Sequence, residues 1–222
     1  MNSHQNITCR QSGFSMIEVL VTLIILLLGL LGLVGVMAQS QRSEMESYQR
    51  VQAVTLLQDM VGRINANRKA ATCYAYTTNT TSGTPYLGTG STYTPACNSA
   101  AILAIYPLIP SATATLEAAT AVSDMSAWNN TLLGAAETFG GGNVGAMVGA
   151  RGCVSYGGVG TELINPVTGL PIAGTGIYTV AVAWQGLGST AIATPNCAQG
   201  LYGTNDAQRR VVSLTLRTAS LL

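Results

Sequence analysis

From Val19 to Ala38 the chain carries no charge and a single polar side chain, Thr22. A run of ~20 apolar residues is the length a helix needs to cross the hydrocarbon core of a membrane. Such a segment has two options. It lies in lipid, or it packs against other helices that are equally apolar. The segment before it, residues 1–13, is polar and carries Arg10, His4 and no acid. Positive charge on this side keeps the leader in the cytoplasm and sends the rest of the chain across.

One residue interrupts the run. Glu18 stands just inside its N-terminal edge, where a carboxylate is costly in lipid and needs a positive partner. Its neighbours are Gly13-Phe14-Ser15-Met16-Ile17-Glu18-Val19-Leu20. This segment resembles the processing site of type IV pilins and type II secretion pseudopilins. The resemblance implies that a prepilin peptidase cuts between Gly13 and Phe14 and that Phe14 is then N-methylated by the same enzyme. It implies that Glu18, fifth in the mature chain, pairs with the N-terminal amine of a neighbouring subunit during assembly. A buried carboxylate and a buried ammonium each need the other, so such a pair sets register more than it adds stability. The chain departs from the usual pattern in having Ser12 rather than a basic residue directly before Gly13, with Arg10 three back from that glycine.

Other readings of the N-terminus explain less. A secretory signal has a shorter apolar region and a small-residue cleavage site. Val36-Met37-Ala38 has the form of such a site, but Glu18 is then unexplained. A plain signal anchor leaves Gly13-Phe14 without meaning. Gly29, Gly32 and Gly35 recur every three residues. They suit either close helix packing or a loosened stretch of helix, and the sequence leaves both open.

Beyond Ala38 the helical pattern continues in amphipathic form to about Ala71, with a helix expected from Phe14 to about Ala70. Met45, Tyr48, Val51, Val54, Leu57, Met60 or Val61, and Ile64 recur near helical spacing. They are expected to form the stripe that meets a globular domain, with the charged residues between them solvated. Residues 77–95 read as a loop, and 112–133 as a helix with Leu116, Ala119, Val122 and Met125 on one face, stopped at Asn129-Asn130. Residues 139–149 read as a glycine-rich loop without the lysine of a phosphate cradle. Strands are expected at 152–156, 177–185 and 211–217, where apolar and small polar residues alternate.

The expected fold is therefore α+β: a long N-terminal helix, its first half transmembrane, packed against a C-terminal antiparallel sheet. Its parts are a leader (1–13), a membrane or filament-core half-helix (14–38), an amphipathic half-helix (39–71) and a head domain (72–222). This is also the architecture that the pilin resemblance implies. Within that family, the segments GCVSY, YTVAVAWQG, a following Cys and RRVVSLTLR resemble PilV-type minor pilins. That likeness implies a minor subunit that primes assembly with other minor pilins and the major pilin, near the tip. It implies a single-pass inner-membrane protein with a periplasmic head before assembly, and a place in the pilus after it. A type II secretion pseudopilin and a surface-displayed adhesin or DNA-uptake pilin are the alternatives. For adhesion, the Tyr- and Thr-rich segment Tyr74–Tyr93 is the candidate.

Composition argues against chemistry. Charged residues are only 9% of the chain, and the formal net charge is +1. No nucleic-acid partner is expected from so small a positive charge, and Arg209-Arg210 is a doublet rather than a patch. The one histidine, His4, lies in the leader, so the mature chain has none for a triad or a general base. Glu117, Asp124, Glu137, Glu162 and Asp206 are scattered and read as surface charges or caps. No enzyme activity, cofactor or metal is expected. Of the five cysteines, Cys9 is in the leader. The remaining Cys73, Cys97, Cys153 and Cys197 suit two disulfides in an exported domain. The preferred pairing is Cys73–Cys97 with Cys153–Cys197; the crossed pairings stay open.

Overall fold

The structure, a computed structural model, describes residues 13–135, 138–143 and 147–218. Leader residues His4, Cys9 and Arg10, and Glu137 in the head, lie outside the described residues. The chain divides into a unit ending at Met45 and a compact unit from Glu46 onward. The head therefore takes in the second half of the long helix as well as everything after it.

Helix α1 spans Met16–Ala66. It ends four residues before the expected Ala70, and neither Gly nor Pro stops it. Asn67 does. Its buried side chain donates to the Glu117 carbonyl at 2.8 Å and to the Tyr74 hydroxyl at 3.3 Å. These partners hold residue 67 off the helical path, and a 3-10 helix, Arg68–Tyr74, follows.

Strand β1 is Leu87–Gly88, α2 is Ser99–Ile105 and α3 is Ser111–Leu132. The Asn98 side chain caps α2 by accepting from the Ala100 N–H. A small hairpin pairs β2, Thr138–Phe139, with β3, Gly142–Asn143. The long strands are β4, Arg151–Tyr156, β5, Ile177–Gln185, and β6, Arg209–Arg217. They form an antiparallel sheet in the order β1-β4-β5-β6.

The main core lies on the helix side of this sheet. There Leu57, Met60 and Ile64 of α1 and Ala118, Met125 and Trp128 of α3 cluster with Val154, Tyr178, Val180 and Val182. Gly152 lies under Trp128, and a Cβ at that position would overlap the indole ring. The Trp128 indole N–H donates to the Leu56 carbonyl at 2.8 Å, tying α3 to α1. The opposite sheet face carries a second, smaller cluster. Cys153, Ala181 and Ala183 pack there beneath Cys197, Ala198 and Tyr202 of the loop between β5 and β6. The alternation expected along β5 is thus real on both faces.

The sequence misplaced some faces. On α3 the buried residues are Ala114, Ala118, Ala121, Met125, Trp128 and Leu132. Leu116, expected inside, is exposed. Alanines at this interface let α3 sit close to its neighbours, so small residues mark the buried face better than large ones. Asn129 does not stop the helix; its side chain accepts from the Gly88 N–H at 2.8 Å and so anchors β1. Residues 77–95, expected as a loop, supply that strand.

Candidate functional site

The start of α1 is fully exposed within its own unit. Gly13, Phe14 and Ser15 precede the helix, and Glu18 lies in its first turn. The Ser15 carbonyl accepts from the N–H groups of Glu18 and Val19 at 3.0 and 3.3 Å. A carboxylate here is favoured by the positive end of the helix dipole. Among the described residues it has no ion-pair partner. The helix that follows reaches a mean hydropathy of 3.0 over 18 residues, none of them buried. So much bare apolar surface demands lipid or other apolar helices around it. Gly29, Gly32 and Gly35 are all helical, and beyond their chain neighbours and the adjacent helix backbone no atom of the described residues lies within 4 Å of where a Cβ would stand.

The second half of α1 corrects the expected stripe. Its buried residues are Gln49, Ala53, Leu57, Met60 and Ile64. Met45, Tyr48 and Val51 are exposed, the last two at 64% and 62%. The reason is geometric. A spacing of three falls short of a 3.6-residue turn, so successive residues wind backward around the helix. Leu57, Met60 and Ile64 reach the head; Tyr48 and Val51 reach the other side. From Ser47 to Ala66 the exposed residues of this half are Ser47, Tyr48, Arg50, Val51, Val54, Thr55, Gln58, Gly62, Asn65 and Ala66, with Arg50 the one charge among them.

At the C-terminal end of α1, ionic groups expected to be solvated are drawn into a network. Arg63 pairs with Asp59 at 2.9 Å and with Asp124 of α3 at 2.8 Å. Asp124 also accepts from the Tyr74 hydroxyl at 2.5 Å. Burial opposes the Arg63 charge, but hydrogen bonds and fields from Asp59 and Asp124 outweigh it and raise its pKa. Tyr74 is raised further, by burial first and then by Asp124. Lys69 lies 3.4 Å from Glu117. Asp59, Arg63, Glu117 and Asp124 line an open groove between α1 and α3, with Gly62, Ala66, Thr113 and Leu116 also in its wall.

The four cysteines of the head come together in pairs. Cys73 is bonded to Cys97, Cα atoms 5.3 Å apart, joining the 3-10 helix to the segment before α2. Cys153 is bonded to Cys197, Cα atoms 5.8 Å apart, pinning the β5–β6 loop to β4. Arg209 holds the same loop from beneath. It is fully buried, donates to the carbonyls of Ala193, Pro195 and Cys197, and places its Nε 3.2 Å from Asp206. Asp206 is buried too and accepts from the Gly200 and Tyr202 N–H groups. Of the two roles the sequence allowed Asp206, surface charge or cap, the structure shows the second, in a buried place. The arginine doublet divides, since Arg210 turns outward to Glu46 at 3.4 Å.

The tyrosines of the segment favoured for adhesion turn inward. Tyr74 and Tyr76 are buried, and Tyr76 stacks on Tyr93 with ring centroids 5.2 Å apart. Elsewhere, Tyr156 donates to Glu162, and burial with that carboxylate pushes its pKa up to about 12. Among the described residues no three His, Cys, Asp or Glu side chains converge as a metal site would require. No sequence signal marked Arg209 or Asp206 as buried, because their partners are loop carbonyls and N–H groups that only the folded loop brings near.

Two family models match this chain. Residues 8–34 match the prokaryotic N-terminal methylation motif. Residues 38–106 match the Tt1218-like model, described as type IV pilin Tt1218. Together they support a type IV pilin, a family of structural filament subunits. They cover most of α1 and all of α2 and stop short of α3 and the long strands. No curated protein matches the chain, and no solved structure does.

Proposed function

We propose that this chain, supported as a type IV pilin by its first half, is a minor subunit that helps to start pilus assembly. The observation that carries the reading is the opening of α1. Gly13 and Phe14 sit just before the helix, Glu18 in its first turn, and a wholly exposed apolar helix follows, within the residues that match the methylation motif. Prepilin peptidase cuts after Gly13 and methylates Phe14, removing residues 1–13. Residues 14–38 then hold the subunit in the inner membrane, with the head in the periplasm. On assembly the same surface moves from lipid to the helices of other pilins. Glu18 meets the terminal ammonium of a neighbour, which compensates each charge where water is absent.

The head fits the same role. Its two disulfides suit an oxidising compartment. The outward face of α1, which carries Arg50 as its one exposed charge from Ser47 to Ala66, extends the surface available to neighbouring subunits. The minor role, the place near the tip, and the company of other minor pilins and the major pilin rest on the C-terminal strand segments that resemble PilV-type chains. N-terminal and intact mass spectrometry on protein from its native membrane and from sheared filaments tests the reading. The expected product begins at methylated Phe14, retains both disulfides and occurs in filaments at a small fraction of the major subunit. A chain beginning at Met1 or Gln39 would overturn it.

A further inference from the structure

Strand β6 is an edge of the sheet, and among the described residues its only strand partner is β5. The ladder fixes which of its backbone groups are free. The Gly186 N–H donates to the Gln208 carbonyl at 2.8 Å. Antiparallel pairs alternate between bonded and non-bonded along a strand. Two residues at a time along the register, Arg210, Val212, Leu214 and Leu216 bond to Trp184, Val182, Val180 and Tyr178. Val211, Ser213, Thr215 and Arg217 therefore turn their N–H and C=O groups to the free edge. The far end agrees. The Ile177 carbonyl accepts from the Gly157 N–H of the β4 side, so Ile177 turns its backbone away from Arg217.

Long edge strands are usually blunted by an inward charge, a proline, a bulge or a covering segment. Among the described residues, the middle of β6 has none of these. Val211–Leu216 holds no charge, no Pro and no Gly, and its register with β5 is unbroken. Leu214 points to the helix side of the sheet opposite fully buried Val180, yet it remains 43% exposed. Among the described residues no further strand lies on its outer side.

We propose that the β6 edge is an assembly surface that receives an extended segment of a neighbouring filament subunit as an added strand. This rests on the filament-subunit reading above. Main-chain hydrogen bonds to Val211, Ser213, Thr215 and Arg217 supply the pairing, and apolar side chains of the incoming segment cover Leu214. Charge selects a different chain over a second copy. Arginines stand at both ends of β6, Arg209 and Arg210 at the start and Arg217 at the finish. In a full-length antiparallel pairing of two copies, Arg217 of each lies at the Arg209–Arg210 end of the other, where Asp206 is already paired with Arg209 and Glu46 with Arg210. A second copy therefore offers Arg217 no free carboxylate there. A segment with an apolar middle and a carboxylate placed to reach Arg217 gains an opposite-charge pair that a second copy lacks.

The test uses the full chain in its native host. Thr215→Pro removes an outward N–H and leaves the β5 ladder intact, which edge strands tolerate. Arg217→Glu reverses the charge, and Arg217→Lys keeps it. The amount of each chain in sheared filaments, relative to that in the membrane, is measured by quantitative mass spectrometry. Thermal melts of the purified chains confirm folding. Thr215→Pro and Arg217→Glu are expected to lower incorporation about tenfold at unchanged melting temperature, with Arg217→Lys near wild type. Hydrogen exchange resolved to single amides gives a second readout that needs no variant. The N–H groups of Ser213 and Thr215 exchange fast in the detergent-solubilised chain and ~100-fold slower in filaments, while Val212 and Leu214 are slow in both. Wild-type chain present in filaments with Ser213 and Thr215 still fast would overturn the edge proposal alone. Absence of the chain from filaments would overturn it together with the filament reading. Protection already present in a purified dimer would overturn it in favour of a second copy.

Discussion

Residues Met16–Met45 of α1 bury no side chain, whereas Glu46–Ala66 of the same helix bury Gln49, Ala53, Leu57, Met60 and Ile64. Both stretches form good helix, and both hold apolar residues. What separates them is the partner each apolar group finds. In the first stretch apolar side chains surround the helix on all sides, so no single face matters and composition alone states the environment. In the second only an arc is covered, and which residues occupy it depends on how α3 and the sheet pack. A pattern read by spacing succeeds where all faces are equal and slips where one face must be chosen.

Changes in the head should separate the two stretches. The largest effect is expected from Trp128→Ala, which removes the ring packed over Gly152 and its bond to Leu56. It should cost ~3–5 kcal/mol in a denaturant melt of the detergent-solubilised chain. Membrane association, carried by the first stretch, should not change in a flotation assay. Loss of membrane association would break the separation.

Replacing Cys153 and Cys197 together by Ala should cost ~2–4 kcal/mol in the same melt. Limited proteolysis should then cut the β5–β6 loop, which keeps Arg209, Asp206 and its bonds to Ser82 and Gly83 but loses its covalent tie to β4. Asp124→Asn is expected to cost ~1–3 kcal/mol, because Arg63 keeps its burial and loses a carboxylate. An effect confined to the melt, with α3 intact by circular dichroism, would show that this network fastens the second stretch of α1 rather than shaping α3.

Alkali gives a smaller, head-specific test. Burial pushes the Tyr202 hydroxyl up to about 12, against the nearby Arg151 guanidinium. An unfolded tyrosine titrates near 10. Folding therefore favours the protonated form, and the stability this gives is complete below pH 10 and lost as pH rises toward 12. The melting temperature should fall across that window, and Tyr202→Phe should flatten the fall. The smallest effect on stability belongs to Tyr48→Ser and Val51→Ser, within ~0.5 kcal/mol of the parent because both face outward. The same substitutions should lower incorporation into filaments. A large loss of stability would place the two side chains against the head after all.

Much of the architecture was legible. The long helix, α3 and the three long strands follow from apolar periods strong enough to survive any packing arrangement. The short elements were not. Leu87-Gly88 has no alternation to read, and it becomes a strand because Asn129 and β4 supply its hydrogen bonds. At the candidate site, Gly13, Phe14 and Glu18 stand out in sequence because they lie within a few residues of one another. Arg209 and Asp206 do not stand out, since charged residues in a loop are ordinarily solvated.

The sequence by itself determined the α+β class, the exposed apolar helix and the signature at its start. These depend on local composition and on residues close in the chain, which no later packing can reverse. Only the tertiary structure decided which arc of α1 is covered, that the arginine doublet splits between interior and surface, and which backbone groups of β6 are left free. Each of these turns on groups brought together from distant parts of the chain, where burial costs are set by the partner and not by the residue.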